Sequence, residues 1–254
     1  MAIGTAALVA LAAASGNFEM PVVAGDANAG RSADGSTAVL VEKPARGTTR
    51  FAIVDTARMR VKRVVSLRGD FGFDALSPNG SKVYVIQYLS HDHKHYAVQS
   101  LRGSRLHTVV EKGEPGEEMA GVPLSRATTS SGGWVFTLYD GAGNTPFVHA
   151  LQAEDGYTLC IDLDALQGRQ DLSTLRLNLN GPTLSVRDRS RTPIVNVDTR
   201  TFEVSEPPPA PAKPVASTPA QADSGDMGAG RVALIALGAV AAVAMAALAI
   251  RRRT

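Results

Sequence analysis

The sequence predicts an all-β domain of about four repeat units, followed by one C-terminal transmembrane helix. Three observations lead to this prediction. A turn that ends in glycine recurs at Gly35, Gly80, Gly132 and Gly181, with spacings of 45, 52 and 49 residues. Each turn precedes segments rich in β-branched and aromatic residues, which favour strands. Near the C-terminus, the uncharged apolar segment 232–250 is closed by three arginines.

The four turns have similar sequences. They are Ser-Ala-Asp-Gly at 32–35, Ser-Pro-Asn-Gly at 77–80, Thr-Ser-Ser-Gly at 129–132 and Asn-Leu-Asn-Gly at 178–181. Glycine adopts positive φ without steric cost, and Asp or Asn before it tolerates the same conformation. We therefore interpret all four as hairpin turns.

Each turn is followed by three predicted strands. The first strands are Thr37–Val41, Lys82–Gln87, Trp134–Tyr139 and Thr183–Val186. The second strands are Phe51–Asp55, Tyr96–Ser100, Phe147–Leu151 and Ile194–Asp198. The third strands are Val61–Leu67, Leu106–Glu111, Thr158–Leu163 and Thr201–Val204.

A leading strand before each turn completes four strands per unit. Phe71–Leu76 and Leu175–Leu179 supply it in the second and fourth units, and in the first unit Asn17–Val23 is the candidate. Four antiparallel strands in every 45 to 52 residues are typical of the blades of a β-propeller. An irregular β-sandwich or an open array of blades is the alternative fold.

The second turn and its strand carry a family resemblance. Residues 76–85, Leu-Ser-Pro-Asn-Gly-Ser-Lys-Val-Tyr-Val, resemble the hairpin of YVTN-type and WD-repeat-like bacterial β-propellers. The similarity covers roughly 35–204 through short patterns, without the Trp-Asp dipeptide of true WD repeats. Residues 134–164 resemble uncharacterised actinobacterial membrane-anchored extracytoplasmic proteins. These resemblances imply a propeller-like envelope protein, and they carry no known activity and no catalytic residues that could be assigned to this chain.

The C-terminal apolar segment is long enough to cross a bilayer. Its nineteen residues, 232–250, span about 28 Å as a helix, close to the ~30 Å hydrocarbon core. Arg251, Arg252 and Arg253 follow it and form a membrane stop. Because basic residues beside a spanning helix stay in the cytoplasm, we predict a type I topology in the cell membrane with the preceding chain extracytoplasmic.

The remaining chain divides into four further segments. Residues 1–15 are interpreted as the remnant of a signal peptide, with an apolar stretch and small residues at 12–14 but no basic start. Residues 16–205 form the predicted β domain. Residues 206–231 form a stalk rich in proline and alanine, which favours an extended chain, and residues 251–254 form a cytoplasmic tail.

Charge and cysteine content narrow the classes of function. The net charge of +2 provides no basic patch for nucleic acid. The single cysteine, Cys160, cannot form an internal disulfide, and we expect it to be a small buried residue of its strand.

One cluster has the composition of a metal site. His91, His93 and His95 alternate in the loop of the second unit, and imidazoles on one side of an extended chain bind zinc, copper or nickel. A solvated loop also tolerates histidine freely, and no zinc-site spacing accompanies the cluster. We therefore expect no cofactor, and His91, His93 and His95 are the weak candidates for a metal site.

Other residues favour structural roles. His149 lies inside a strand and is expected to be a hydrogen-bonded core or edge residue. Trp134 and Phe136 share one face of a strand and are expected to pack between neighbouring sheets. The glycines of 141–144 are expected to shape a hairpin connection. Glu117 with Glu118, and Asp162 with Asp164, are expected to be solvated charges.

These features together predict a membrane-tethered binding or scaffolding module of the cell envelope. Its expected partners are the lipid bilayer, through the C-terminal helix, and an envelope protein, peptide or glycan. The alternative function is an exported hydrolase or metal-dependent enzyme that uses the histidine cluster.

Overall fold

Four β-sheets follow one another along the chain in the computed structural model, which describes residues 17–26, 28–45, 47–92, 94–112 and 119–207. Sheet 1 has the order β1-β2-β3-β4, and sheet 4 has the order β15-β16-β17-β18. The strands of sheet 1 are β1 (Phe18–Glu19), β2 (Thr37–Ala45), β3 (Thr48–Asp55) and β4 (Arg60–Arg68). The strands of sheet 4 are β15 (Arg176–Asn180), β16 (Thr183–Arg187), β17 (Pro193–Asp198) and β18 (Val204–Ser205).

The two middle sheets have five strands each. Sheet 2 contains β5 (Phe71–Leu76), β6 (Val83–Tyr88), β7 (His95–Arg102), β8 (Arg105–Thr108) and β10 (Met119–Ala120). Sheet 3 contains β9 (Val110–Glu111), β11 (Pro123–Thr128), β12 (Trp134–Tyr139), β13 (Phe147–Gln152) and β14 (Tyr157–Asp162). Short 3-10 turns occur at Gly141–Gly143, Asp164–Leu166 and Leu172–Thr174. The all-β prediction and the hairpin connection at 141–144 are confirmed.

The first three predicted turns share one hydrogen-bond pattern. Ser32 Oγ accepts a hydrogen bond from the backbone N–H of Thr37 at 3.0 Å. The second and third turns repeat this bond at 2.9 and 3.0 Å, from Lys82 to Ser77 Oγ and from Trp134 to Thr129 Oγ1. The fourth turn differs, because β15 continues to Asn180 and pairs with Thr183. The hydroxyl residue at the start of each of the first three turns explains this difference, since the fourth begins with asparagine.

The turns of neighbouring sheets nest against one another. The N–H of Asp34 donates to the carbonyl of Pro78 at 3.1 Å, which joins the first turn to the second. A Cβ at Gly132 would lie 2.7 Å from the Cβ of Ala33, so the third turn also contacts the first. The φ of Gly132 is +71°. Both the backbone conformation and this close approach therefore require glycine there.

The leading strand of sheet 1 comes from two separate pieces of chain. β1 pairs with β2 through Phe18 and Glu19. Arg31 adds an isolated bridge to Ala38, further along the same edge of β2. The expectation that Asn17–Val23 supplies this strand is confirmed for its first residues.

Two predicted third strands need correction. The predicted strand Leu106–Glu111 is split at Val109: β8 pairs with β7 of sheet 2, whereas β9 pairs in parallel with β14 of sheet 3. In the fourth unit the last strand is Val204–Ser205 rather than Thr201–Val204. Asp198 explains this shift, because its carboxylate accepts the backbone N–H groups of Arg200 and Thr201 and holds them in a turn.

Apolar clusters join each sheet to the next. One cluster lies between sheets 1 and 2, a second between sheets 2 and 3, and a third between sheets 3 and 4. Phe136 is buried in the third cluster, and Trp134 packs against Phe202 of sheet 4 with ring centroids 5.1 Å apart. The predicted packing role of this aromatic pair is confirmed. A row of sheets packed in this way differs from the two facing sheets of a β-sandwich.

The prediction for Cys160 is wrong. Its side chain is exposed, and its thiol donates to Glu111 Oε1 on β9 at 2.8 Å. The cause is the alternation of β14, in which Ile161 is the buried neighbour and Cys160 faces the other side.

Several predicted segments lie outside the described residues. They are the signal remnant 1–15, nearly all of the stalk 206–231, the helix 232–250 and the tail with Arg251, Arg252 and Arg253. Within the described ranges, we find no helix with the length and hydropathy needed to cross a membrane.

Candidate functional site

A polar cavity of about 490 Å³ lies where sheets 1, 2 and 3 approach one another. The segment between β1 and β2 forms one wall, and β5 forms a second. The turn after β11 forms the third wall. Phe73, Leu76 and Val135 supply apolar surface, while Asp26 and Asp74 supply carboxylates. The cavity therefore combines apolar surface with polar and charged groups that can orient a ligand.

The N-terminal wall is held against sheet 3 by the backbone. The N–H of Arg126 on β11 donates to the carbonyl of Ala24 at 2.7 Å. Gly25 follows with φ +85°, and a Cβ there would lie 2.6 Å from the carbonyl oxygen of Arg126. Only glycine permits this approach, so Gly25 positions the wall.

A buried ion pair lies behind the cavity and joins sheets 2 and 3. Arg126 Nη2 donates to Asp74 Oδ1 at 2.6 Å, and Arg126 Nε donates to Thr137 Oγ1 at 3.0 Å. Arg126 Nη1 also donates to the backbone carbonyl of Asp74. The side chains of Arg126 and Asp74 are 2% and 1% exposed. Such a pair needs good geometry and further hydrogen bonds to offset its desolvation, and Arg126 has both.

Asp74 retains unused hydrogen-bonding capacity. Its Oδ2 atom is buried and has no hydrogen-bond partner among the described residues. Asp74 also lines the cavity. Because a buried carboxylate oxygen without a partner is energetically unfavourable, a ligand that donates a hydrogen bond to it would bind favourably.

Neutral aromatic groups surround the ion pair. His149 on β13 is 1% exposed, and burial lowers its pKa to about 4. Its ring lies 6.3 Å from that of Tyr139, which stacks on Tyr96 at 4.8 Å. Burial raises the pKa of both tyrosines. At neutral pH the buried imidazole of His149 is therefore uncharged.

The expectation that His149 is a core residue is correct, but the expectation that it is fully hydrogen-bonded is wrong. The residue lies in the core, as its strand pattern predicts, but its Nε2 atom has no hydrogen-bond partner among the described residues. A neutral imidazole fills this space at the cost of one unsatisfied nitrogen.

The mouth of the cavity is shaped by Asp26 and its neighbours. Asp26 Oδ1 accepts the backbone N–H of Asn28 at 3.0 Å, and Asp26 Oδ2 accepts the hydroxyl of Thr128 at 3.4 Å. The second contact connects the N-terminal wall to the turn after β11. Arg31 also lines the cavity, so that groups of both charge signs meet there.

The predicted histidine cluster lies away from this cavity. His91 is an exposed turn residue, and His95 is the exposed first residue of β7, where its backbone pairs with Ala120. His93 lies outside the described residues. In the described ranges no three His, Cys, Asp or Glu side chains form a group able to hold a metal ion. Metal binding by His91, His93 and His95 stays a prediction.

The sequence patterns did not identify Asp74 and Arg126 as residues of the candidate site. Each is a charged residue within a strand of apolar and small neighbours, and this is the signal that could have identified them. By contrast, Asp162 and Asp164 are exposed, as expected. Glu117 and Glu118 lie outside the described residues.

Comparison with known proteins supports the fold. The sequence profile of the lipoprotein LpqB beta-propeller domain matches residues 60–182, just under half of the chain. The match runs from β4 to the hairpin that joins β15 and β16. No curated protein matches the sequence. With the four consecutive sheets, this match shows that the domain is β-propeller-like.

Solved structures that align with this chain share little sequence identity with it. Hydrazine synthase from Kuenenia stuttgartiensis is 16% identical over 69% of this chain and 46% of that chain, with a TM-score of 0.43. TolB from Acinetobacter baumannii is 10% identical over 68% and 41%, with a TM-score of 0.39. A puromycin-hydrolyzing peptidase of Mycobacterium tuberculosis is 17% identical over 74% and 29%, with a TM-score of 0.40. This chain spans less than half the length of each of the three.

Proposed function

We propose that the domain is a binding module of the cell envelope and that it holds a peptide segment in the cavity between sheets 1, 2 and 3. The observation that carries this proposal is Asp74, which lines the cavity with one carboxylate oxygen bound to Arg126 and the other without a partner among the described residues. The bond to Arg126 fixes Asp74 in position, so its other carboxylate oxygen is a prepared acceptor.

The charges around the cavity favour a peptide. Asp26 and Asp74 attract N–H donors, while Arg31 attracts carbonyl or carboxylate oxygens. A peptide carries donors and acceptors in alternation along its backbone. The cavity volume of about 490 Å³ accommodates a short segment rather than a folded partner.

The cellular location is part of the same proposal. The matching profile describes a lipoprotein domain, which supports an envelope-associated, extracytoplasmic location for this chain. In this proposal residues 206–231 act as a stalk, and residues 232–250 anchor the domain in the membrane.

A peptide array probed with the purified full chain tests the proposal. Peptides that bind are then titrated against Asp26→Asn, which removes one cavity charge while keeping the size of the side chain. We expect affinity to fall by roughly tenfold, since a hydrogen bond to a charged group contributes about 1.5–3 kcal/mol. The matched control is Asp162→Asn, an exposed aspartate of β14 outside the cavity.

The control variant separates a loss of affinity at the cavity from a general effect of removing a carboxylate. Asp162→Asn should bind as the wild type does. The proposal is wrong if Asp26→Asn also binds every peptide as the wild type does, or if glycans bind the cavity and peptides do not.

A further inference from the structure

A second cavity, of about 600 Å³, lies on sheet 4 and is strongly basic. Nine of the described residues line it, of which four are arginines and one is an aspartate. The arginines are Arg176 on β15, Arg187 on β16, and Arg189 and Arg191 in the turn that follows. None of these four forms an ion pair with a carboxylate in the part of the chain that the structure describes.

Two of the arginines are placed directly opposite each other. Arg176 and Arg187 are cross-strand partners in the antiparallel register of β15 and β16. Directly opposed residues have Cβ atoms about 4.5–5.5 Å apart, and like charges in this position repel. A bound anion between the two guanidinium groups would turn this repulsion into attraction.

The guanidinium of Arg176 is held in position by the backbone. Its Nη1 atom donates to the carbonyl of Ser173 at 3.0 Å and to the carbonyl of Leu175 at 2.7 Å. These bonds use one nitrogen of the group and orient it. The remaining N–H donors of Arg176 are available to a ligand.

Arg187 contains a buried donor that lacks a partner. Its Nε atom is hidden from solvent and makes no hydrogen bond to any described residue. A buried charged donor without an acceptor is unfavourable, which makes an oxyanion at this point stabilising.

The aspartates close to the cluster are already engaged. Asp188 Oδ1 accepts the backbone N–H of Thr192 at 2.9 Å and closes the turn. Asp171 is bound by Arg169 through two hydrogen bonds of 2.9 and 2.8 Å.

Within the turn, Arg191 adopts φ +64°, a conformation uncommon for residues other than glycine, asparagine and aspartate. Arginine therefore occupies a position where glycine would fit the backbone better.

We propose that this arginine cluster binds a phosphate group. Guanidinium groups bind phosphate through paired hydrogen bonds, and the excess of four arginines over one aspartate favours an anion with more than one negative charge. Leu184 and Val186 belong to the apolar cluster shared with sheet 3, whereas Arg176 and Arg187 lie outside that cluster. This site is separate from the cavity between sheets 1, 2 and 3.

The test uses the full chain and two probes, inorganic phosphate and vesicles that contain phosphatidylglycerol. Thermal unfolding and binding are measured for the wild type, for Arg176→Gln with Arg187→Gln, and for the control Arg60→Gln with Arg63→Gln. The control removes the same charge from exposed positions of β4. We expect phosphate to raise the Tm of the wild type and of the control, and the cluster variant to lose at least tenfold in phosphate affinity.

The same measurements separate the possible results. Vesicle binding that phosphate displaces and the cluster variant lacks would identify a lipid headgroup as the source. Phosphate binding without vesicle binding would identify a soluble phosphate-bearing ligand. Equal responses of the cluster variant and the control, or no response of the wild type to either probe, would overturn the proposal.

The Tm measured without ligand distinguishes phosphate binding by the arginines from a purely structural role of the same residues. The single variant Arg187→Gln relieves the repulsion and keeps the bonds from Arg176 to Ser173 and Leu175, so its Tm without phosphate should equal or exceed that of the wild type. A large decrease in that Tm would show that the arginines stabilise sheet 4 instead, and the proposal would then be wrong.

Discussion

His149 makes the stability of the domain depend on pH. Burial lowers its pKa to about 4 in the folded state, from the 6.5 of an exposed imidazole. The unfolded chain therefore binds a proton that the folded chain does not bind between these two values. The contribution of His149 to the free energy of unfolding is therefore complete above pH 6.5 and is lost as the pH falls from 6.5 to about 4.

The variant His149→Leu removes this contribution. One proton corresponds to about 1.4 kcal/mol per pH unit, so the interval corresponds to roughly 3 kcal/mol. We expect the wild type to lose roughly 3 kcal/mol more than His149→Leu when the pH is lowered from about 7.5 to about 4. Urea unfolding of both proteins at a series of pH values measures this difference. Parallel pH profiles would contradict it.

Gly80 shows how one element depends on its neighbour in space. Its φ is +66°, and an added Cβ would overlap the side chain of Thr37 on sheet 1. Alanine in this conformation costs about 1–2 kcal/mol, and displacement of packed atoms adds about 1–3 kcal/mol. We therefore expect Gly80→Ala to lower the free energy of unfolding by about 2–5 kcal/mol.

Gly181→Ala is the matched control at the fourth turn. Gly181 also has positive φ, +56°, but open space surrounds the position of its Cβ. Urea unfolding of both variants should show that Gly181→Ala loses only the conformational part of the free energy of unfolding, about 1–2 kcal/mol. Equal losses in the two variants would show that the nesting of the turns contributes nothing to stability.

At the scale of strands, sequence patterns predicted most elements because alternation and turn chemistry are local. Trp134–Tyr139 and Phe71–Leu76 were predicted with the bounds that the structure shows. The membership of β9 in sheet 3 could not be predicted from the sequence. A strand of two residues is too short to show which strand it pairs with, and its partner β14 comes much later in the chain. The ion pair between Asp74 and Arg126 joins residues 52 positions apart, which no local pattern records.

For the whole molecule, the predicted topology can be tested with two epitopes. One is inserted in the connection 141–144, where Gly143 has open space around it, and the other follows Thr254. Because the arginines at 251–253 should stay in the cytoplasm, we expect protease added to intact cells to remove the first epitope and spare the second. Removal of both epitopes, or of neither, would contradict the type I topology.

The contact between Asp26 and Thr128 has a consequence for the timing of biosynthesis. These residues are 102 positions apart, so the wall formed early in the chain has no surface to rest on until β11 has been synthesised. At about 5–20 residues per second, that delay is roughly 5–20 s. Sheet 1 is complete in sequence early in this interval, whereas sheet 2 is complete only when β10 has been added near its end. The candidate binding site therefore matures late, after half of the polypeptide has been synthesised.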